Sequence, residues 1–228
     1  MKKIMLAAAI AALSSTAFAG GSVGLGYQSS TVAPNYGDCW SECFGDGEPA
    51  GFALNASYDV IPNVFVSVDY ADLSDEEDHY DWSVEVTQTR LAAQAGYRYA
   101  LNDSSNVTAA VQYSSTEWSY LYTDPTPYEY RAEDNGVSLV LGTNTKVTDR
   151  LTTGVSFAAG FETGISAYVS AKLSDSVSLQ TSYSRVSYEL GDFGYYYSGT
   201  VNNPSSVDGD GDFQFNDENF RVSLNYAF

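Results

Sequence analysis

The chain has 228 residues and a net charge of −19, with 29 acidic residues against 10 lysines and arginines. So acidic a chain offers no basic footprint for displacing counterions from a nucleic acid, which removes DNA and RNA from the partners to be considered. Charged residues make up only 17% of the chain while aromatics reach 14%, a balance that suits neither a disordered chain nor an ordinary soluble surface.

Residues 1–19 read as an export signal. Lys2 and Lys3 form a positive start, Ile4 to Leu13 an apolar stretch, and Ala17-Phe-Ala19 a small-x-small cleavage pattern. The apolar stretch is too short to cross a bilayer as a helix, and no apolar run of spanning length follows it. Cleavage after Ala19 leaves one domain, residues 20–228. Losing Lys2 and Lys3 takes its charge from −19 to −21. In an oxidising compartment Cys39 and Cys43 are expected to pair as a small disulfide loop. A metal site is disfavoured because Cys-x-x-x-Cys without a second pair or a neighbouring histidine offers too few ligands.

From residue 23 onward, apolar residues recur at every second position, the period of a strand with one apolar face. The sets are Val23 to Tyr27, Phe52 to Tyr58, Val64 to Tyr70, Leu91 to Tyr99, Val107 to Tyr113 and Val137 to Leu141. They continue with Leu151 to Phe161, Ile165 to Leu173, Val177 to Tyr183 and finally Phe220 to Phe228, which makes ten expected strands. Around Ser184-Arg185 the alternation slips, which suggests a bulge.

Connections alternate between two kinds. Short ones built from turn formers fall at Ile61-Pro-Asn63, 101–106, 147–150 and 174–176. Long ones fall near 31–50, 72–82, 121–131 and 190–213, with one tight exception at Glu162-Thr-Gly164. Greek-key crossovers would not sort lengths in this way, whereas a barrel with short turns on one rim and loops on the other does. Tyr27, Tyr70 and Phe161 fall at one rim of the strands, and Tyr58, Tyr97, Tyr99, Tyr226 and Phe228 at the other, as two aromatic girdles.

The opposite faces carry polar residues. Asp69, Arg90, Arg98 and Arg221 are the charged ones, able to pair across a lumen. The fold class expected is all-β: a single transmembrane antiparallel up-and-down barrel of ten strands, with eight as the alternative. Its short turns are periplasmic and its long loops extracellular. Gly24-Leu-Gly26 lacks the third glycine and the helix of a phosphate loop, so close strand packing accounts for it.

This pattern resembles the small outer-membrane β-barrel proteins of Gram-negative bacteria, the group that includes opacity-type and adhesion-type surface barrels. The terminal Tyr226-Ala-Phe228 is similar to the aromatic signal by which the barrel assembly machinery recognises clients in that group. The resemblance implies an outer-membrane location, contact with lipid and lipopolysaccharide, and no cofactor.

Three further constellations carry residue types suited to chemistry or binding. His79, in Asp75-Glu-Glu-Asp-His-Tyr-Asp81, has acidic neighbours but no nucleophile motif, so a solvated loop histidine is expected and catalysis is not. Asp208, Asp210 and Asp212 offer hard oxygen ligands for a divalent cation, yet Phe213 stands where a calcium loop needs glycine. The long loops combine acids with tyrosine and tryptophan, the chemistry of a contact surface. The function expected is therefore a non-enzymatic surface protein with an unidentified extracellular partner; its acidic loops are open to divalent cations, with Asp208, Asp210 and Asp212 only weak candidates for a metal site and a solvated surface the preferred reading. The alternative is a narrow channel for small, preferably cationic solutes.

Overall fold

The computed structural model describes residues 20–34, 48–78, 83–123, 128–190, 193–197 and 213–228. Eleven strands follow one another: β1 (Gly21–Pro34), β2 (Ala50–Ile61), β3 (Val64–Asp78), β4 (Ser83–Ala100), β5 (Ser105–Thr123), β6 (Tyr128–Lys146), β7 (Leu151–Gly160), β8 (Glu162–Lys172), β9 (Val177–Leu190), β10 (Phe193–Tyr197) and β11 (Phe213–Ala227). Ten of them pair antiparallel with their neighbours in a closed ring, β1 through β9 and then β11. The last strand closes on the first: Val23 lies opposite Tyr226 and Tyr27 opposite Val222, and Gly21 and Phe228 exchange backbone hydrogen bonds of 3.0 Å in both directions. The strand number is ten, as the alternation indicates, and the eight-stranded alternative falls away. Closure leaves no open edge, which lipid would penalise by several kcal/mol for each unpaired backbone group.

The apolar sets face outward. Leu25 is 60% exposed, Leu139 62% and Leu141 58%, while Gln88, Gln112, Ser114, Thr116, Ser138 and Glu162 are buried. This distribution inverts that of a soluble sandwich and requires an apolar solvent around the wall. Tyr27, Phe52, Tyr113, Tyr183 and Phe220 stand outward toward one rim and Tyr97, Tyr99, Tyr226 and Phe228 toward the other. Between these girdles the membrane-spanning parts of the strands run.

Four details depart from the alternation and loop lengths. The tight connection lies not at Glu162-Thr-Gly164 but earlier: β7 ends at Gly160, Phe161 turns, and β8 begins at Glu162. Gly160 has φ 141° and a Cβ there would meet Val137 O at 2.5 Å, so Gly160, not Gly164, supplies the conformation the turn needs.

Secondly, much of what reads as long loop is strand. β4, β5 and β6 have 18, 19 and 19 residues, about twice the 9–11 that cross a bilayer, so their upper halves stand above the membrane. Thirdly, β7 and β8 stop low, with β7 pairing only with Ser138–Lys146 of β6. The bare upper edge of β6 is covered at Tyr128–Ala132 by the five-residue β10, a strand absent from the sequence reading. Fourthly, no bulge occurs at Ser184-Arg185: β9 keeps continuous register with β11 from Val177 to Leu190. The residue pattern changes there because Arg185 points outward above the girdle and lies 3.6 Å from Glu218.

Candidate functional site

The lumen is built from the inward residues of the ring, and its chemistry is layered. At the periplasmic end Asn55 Nδ2 donates to Asn225 Oδ1 at 3.1 Å, directly over Gly24, where any Cβ would collide with both amides. Beside them Arg98 pairs with Asp59 and lies over the Phe65 ring, 4.6 Å from its centroid. Phe65 packs with Ala110, Val140 and Ala158 into an apolar patch on an otherwise polar wall. A cavity of about 540 Å³ runs upward from this level, lined here by Asn55, Asn225, Arg98 and Phe65 and on the other side by Ser156, Ser166, Tyr168, Gln180 and Ser182.

Two clamps bound the cavity at its outer end. Arg90 on β4 reaches across to Glu162 on β8 in a two-point contact, Nε to Oε1 at 2.9 Å and Nη2 to Oε2 at 2.7 Å. Gln112 Nε2 donates to the same carboxylate at 2.6 Å, and the Glu162 backbone N–H donates to Ser138 Oγ at 2.9 Å. The second clamp joins Arg221 on β11 to Asp69 on β3, again through both oxygens, with Nη2 to Oδ1 at 2.8 Å. Gln28 Oε1 accepts from Arg221 Nε at 2.8 Å while Gln28 Nε2 donates to Asn219 at 2.7 Å. A planar guanidinium that meets a carboxylate at two points is fixed in direction as well as held by charge.

Beyond the clamps, Asp217 on β11 accepts from Ser30 Oγ and, across the ring, from Gln88 Nε2 on β4 at 2.8 Å. The outermost layer is aromatic. Trp118, Tyr188 and Phe215 are each 2% exposed. Phe215 stacks on Trp118 at 6.5 Å and on Tyr188 at 6.0 Å between centroids, and Trp118 Nε1 donates to Tyr188 Oη at 2.8 Å across the barrel. Burial, with the Asp217 charge second, pushes the Tyr188 hydroxyl well above its ordinary range, so it stays protonated. At the opposite rim the hydrogen bond from Lys146 holds the exposed Asp149 carboxyl below its ordinary value.

Of the four charged lumen residues named from the sequence, Asp69 and Arg221 meet each other, while Arg90 takes Glu162 and Arg98 takes Asp59. Glu162, Asp59 and Asp217 were missed as lumen residues. Parity could have found all three, since Asp59 is in step with Asn55, Glu162 with Ser166 and Asp217 with Arg221. Tyr226 and Phe228 lie at the periplasmic end, where β11 meets β1. Cys39, Cys43, His79, Asp208, Asp210 and Asp212 lie outside the described residues. The acidic run from Asp72 is extended strand through Asp78, which puts Asp72, Glu76 and Asp78 on one face and Asp75 on the other instead of around one point. Among the described residues no group of three or more His, Cys, Asp or Glu could hold a metal ion.

A family model, the outer membrane protein beta-barrel domain, matches residues 4–228. Among solved structures the chain is similar to the outer membrane protease OmpT from Escherichia coli, at 11% identity and a TM-score of 0.59, covering 92% of this chain and 96% of that one. It is also similar to Ail, the attachment invasion locus protein of Yersinia pestis, at 12% identity, a TM-score of 0.45 and coverage of 92% and 99%. Neisserial surface protein A gives 13% identity, a TM-score of 0.45 and coverage of 91% and 97%. Likeness at such identity shows the fold alone. A search of curated proteins found no match. With a ring closed between its first and last strands, an apolar outer wall and a family model that spans nearly its whole length, the chain belongs to the outer membrane β-barrel family and resides in the outer membrane.

Proposed function

We propose that this is a non-enzymatic surface protein: a closed barrel that holds acidic, tyrosine-rich segments outside the cell, where they contact basic partners and the lipopolysaccharide layer. The observation that carries the reading is the crossed lumen. Two arginine clamps and an aromatic stack bridge the barrel from wall to wall. A ring of this size is far narrower than a porin, and here the clamps cross it above the cavity. The reading therefore puts the contacts at the outer rim, to which the strand pattern assigns most of the 29 acids, a distribution that makes its potential negative.

The same reading takes residues 1–19 as a cleaved signal, Cys39 and Cys43 as a disulfide within the first outer segment, and Tyr226 and Phe228 as the determinant read by the assembly machinery. Divalent cations bridge the outer acids to lipid phosphates. Hydrolysis at His79 is not proposed.

The test replaces 35–47 and 198–212 by short Gly-Ser connections in cells expressing the protein. Cells with the full chain should be retained on polylysine-coated surfaces and released by added salt, and cells with the shortened chain should not. Equal retention of both would remove the outer segments from the function. The second reading, a channel for small cationic solutes, is favoured by the cavity of about 540 Å³ below the clamps. Conductance separates it from the first.

A further inference from the structure

The lumen cavity is lopsided. Long side chains such as Gln94 and Arg98 of β4 and Arg221 of β11 occupy part of the ring, while β7, β8 and β9 turn mostly small residues inward and leave space along their wall. Its two ends differ as well. At the outer end it stops at the two arginine clamps. At the other it reaches Ser22 and Ala227, paired at the periplasmic end of the β1–β11 ladder, so it is entered from the periplasm.

The polar groups on its surface fall into two sets. The charged ones are engaged with one another: Arg90 is on Glu162, Arg221 on Asp69 and Arg98 on Asp59. Several neutral ones are free. Ser178, Gln180, Ser182 and Ser184, at every second position of β9, and Ser57 and Ser67, paired across β2 and β3, all line the cavity, and none makes a side-chain hydrogen bond with a described residue. The β9 groups form a column from the level of Asn225, opposite Ser178, up to that of Asn219, opposite Ser184. Hydroxyls and amides both donate and accept. Phe65, Val140 and Ala158 add an apolar surface to the same cavity. An ion entering it would give up water for charges that already have partners. The ligand that fits such a wall is uncharged, with hydroxyls that donate and accept and with an apolar face. A saccharide ring is built in this way, hydroxyls around its edge and C–H groups on its faces. The volume of about 540 Å³ lies within the range of about 300–1,000 Å³ common for small-molecule pockets.

We propose that the lumen cavity is a periplasm-facing binding pocket for a neutral mono- or disaccharide, held by the free column on β9. Water displaced from these hydroxyls is replaced by hydroxyls of the sugar, which reproduce its hydrogen bonds. The pocket is independent of the contacts proposed for the outer segments, because it lies below the clamps and opens on the other side of the membrane.

The experiment is isothermal titration calorimetry of the full barrel, refolded in detergent micelles so that both rims meet the solution, with glucose and with maltose. A saturable heat is expected. Gln180→Leu, which removes the amide at nearly constant volume, should raise the Kd about fivefold to tenfold, the effect of one lost hydrogen bond. Ser182→Phe fills the cavity and should abolish binding; Gln180→Leu carries the test if that variant does not assemble. Glucose 6-phosphate, the same ring with a charge, should bind more weakly than glucose. No saturable heat from either sugar overturns the pocket. Unaltered affinity in Gln180→Leu also overturns it, since the sugar would then sit elsewhere on the barrel. Affinity for glucose 6-phosphate equal to or above that for glucose overturns the neutral class.

Discussion

Arg90 and Glu162 stand 72 residues apart in the chain, yet the ring brings them nearly face to face with Glu162 almost fully buried. Removing one member leaves the other charge in a dry lumen. Arg90→Met should lower stability by about 3–5 kcal/mol in urea unfolding from vesicles, and the double change with Glu162→Met should recover much of it. Arg98 and Asp59, each about one-third exposed near the periplasmic end, should matter less: Arg98→Met is expected to cost at most about 1 kcal/mol. Equal losses at the two positions would contradict the layering of the lumen. The alternation assigns Asp69, Arg90, Arg98 and Arg221 to a face, because parity depends only on neighbours in sequence. It does not name their partners. Those depend on which strands stand opposite in the closed ring, and Arg221 meets Asp69 across 152 residues.

Individual strands were legible where lipid enforces a clean alternation and less so above it. In β9 the pattern breaks at Arg185 although the pairing does not, since an outward side chain beyond the girdle no longer meets lipid. The strand β10 left no alternating signal because five residues suffice to cover an edge that exists only because β7 and β8 end early. Deleting 193–197 should therefore speed amide hydrogen exchange at residues 128–132 and leave the girdle region protected; loss of protection throughout the barrel would give β10 a larger role than edge cover. Gly160→Ala places a side chain at φ 141° against Val137 O and should cost about 1–3 kcal/mol in the same unfolding assay. At the closing strand, removal of Phe228 should reduce the amount of folded, heat-modifiable barrel in the outer membrane more than Tyr183→Ala does.

As a whole the molecule is an inverted object, apolar outside and polar within. Its composition announces this: few charges and many tyrosines. The orientation of the apolar face was not readable from any single strand; it follows once ten such strands close and only one side of each can meet lipid. The proposal that residues 1–19 are a cleaved export signal predicts that the protein recovered from membranes begins at Gly20, and intact mass checks it. The proposed function requires a lumen shut by its own side chains, at Arg90–Glu162, at Arg221–Asp69 and in the Trp118–Phe215–Tyr188 layer. Planar-bilayer recording on the refolded barrel tests it directly: a silent baseline is expected, and reproducible single-channel steps with cation preference would show a continuous pore and reverse the ranking of surface protein over channel.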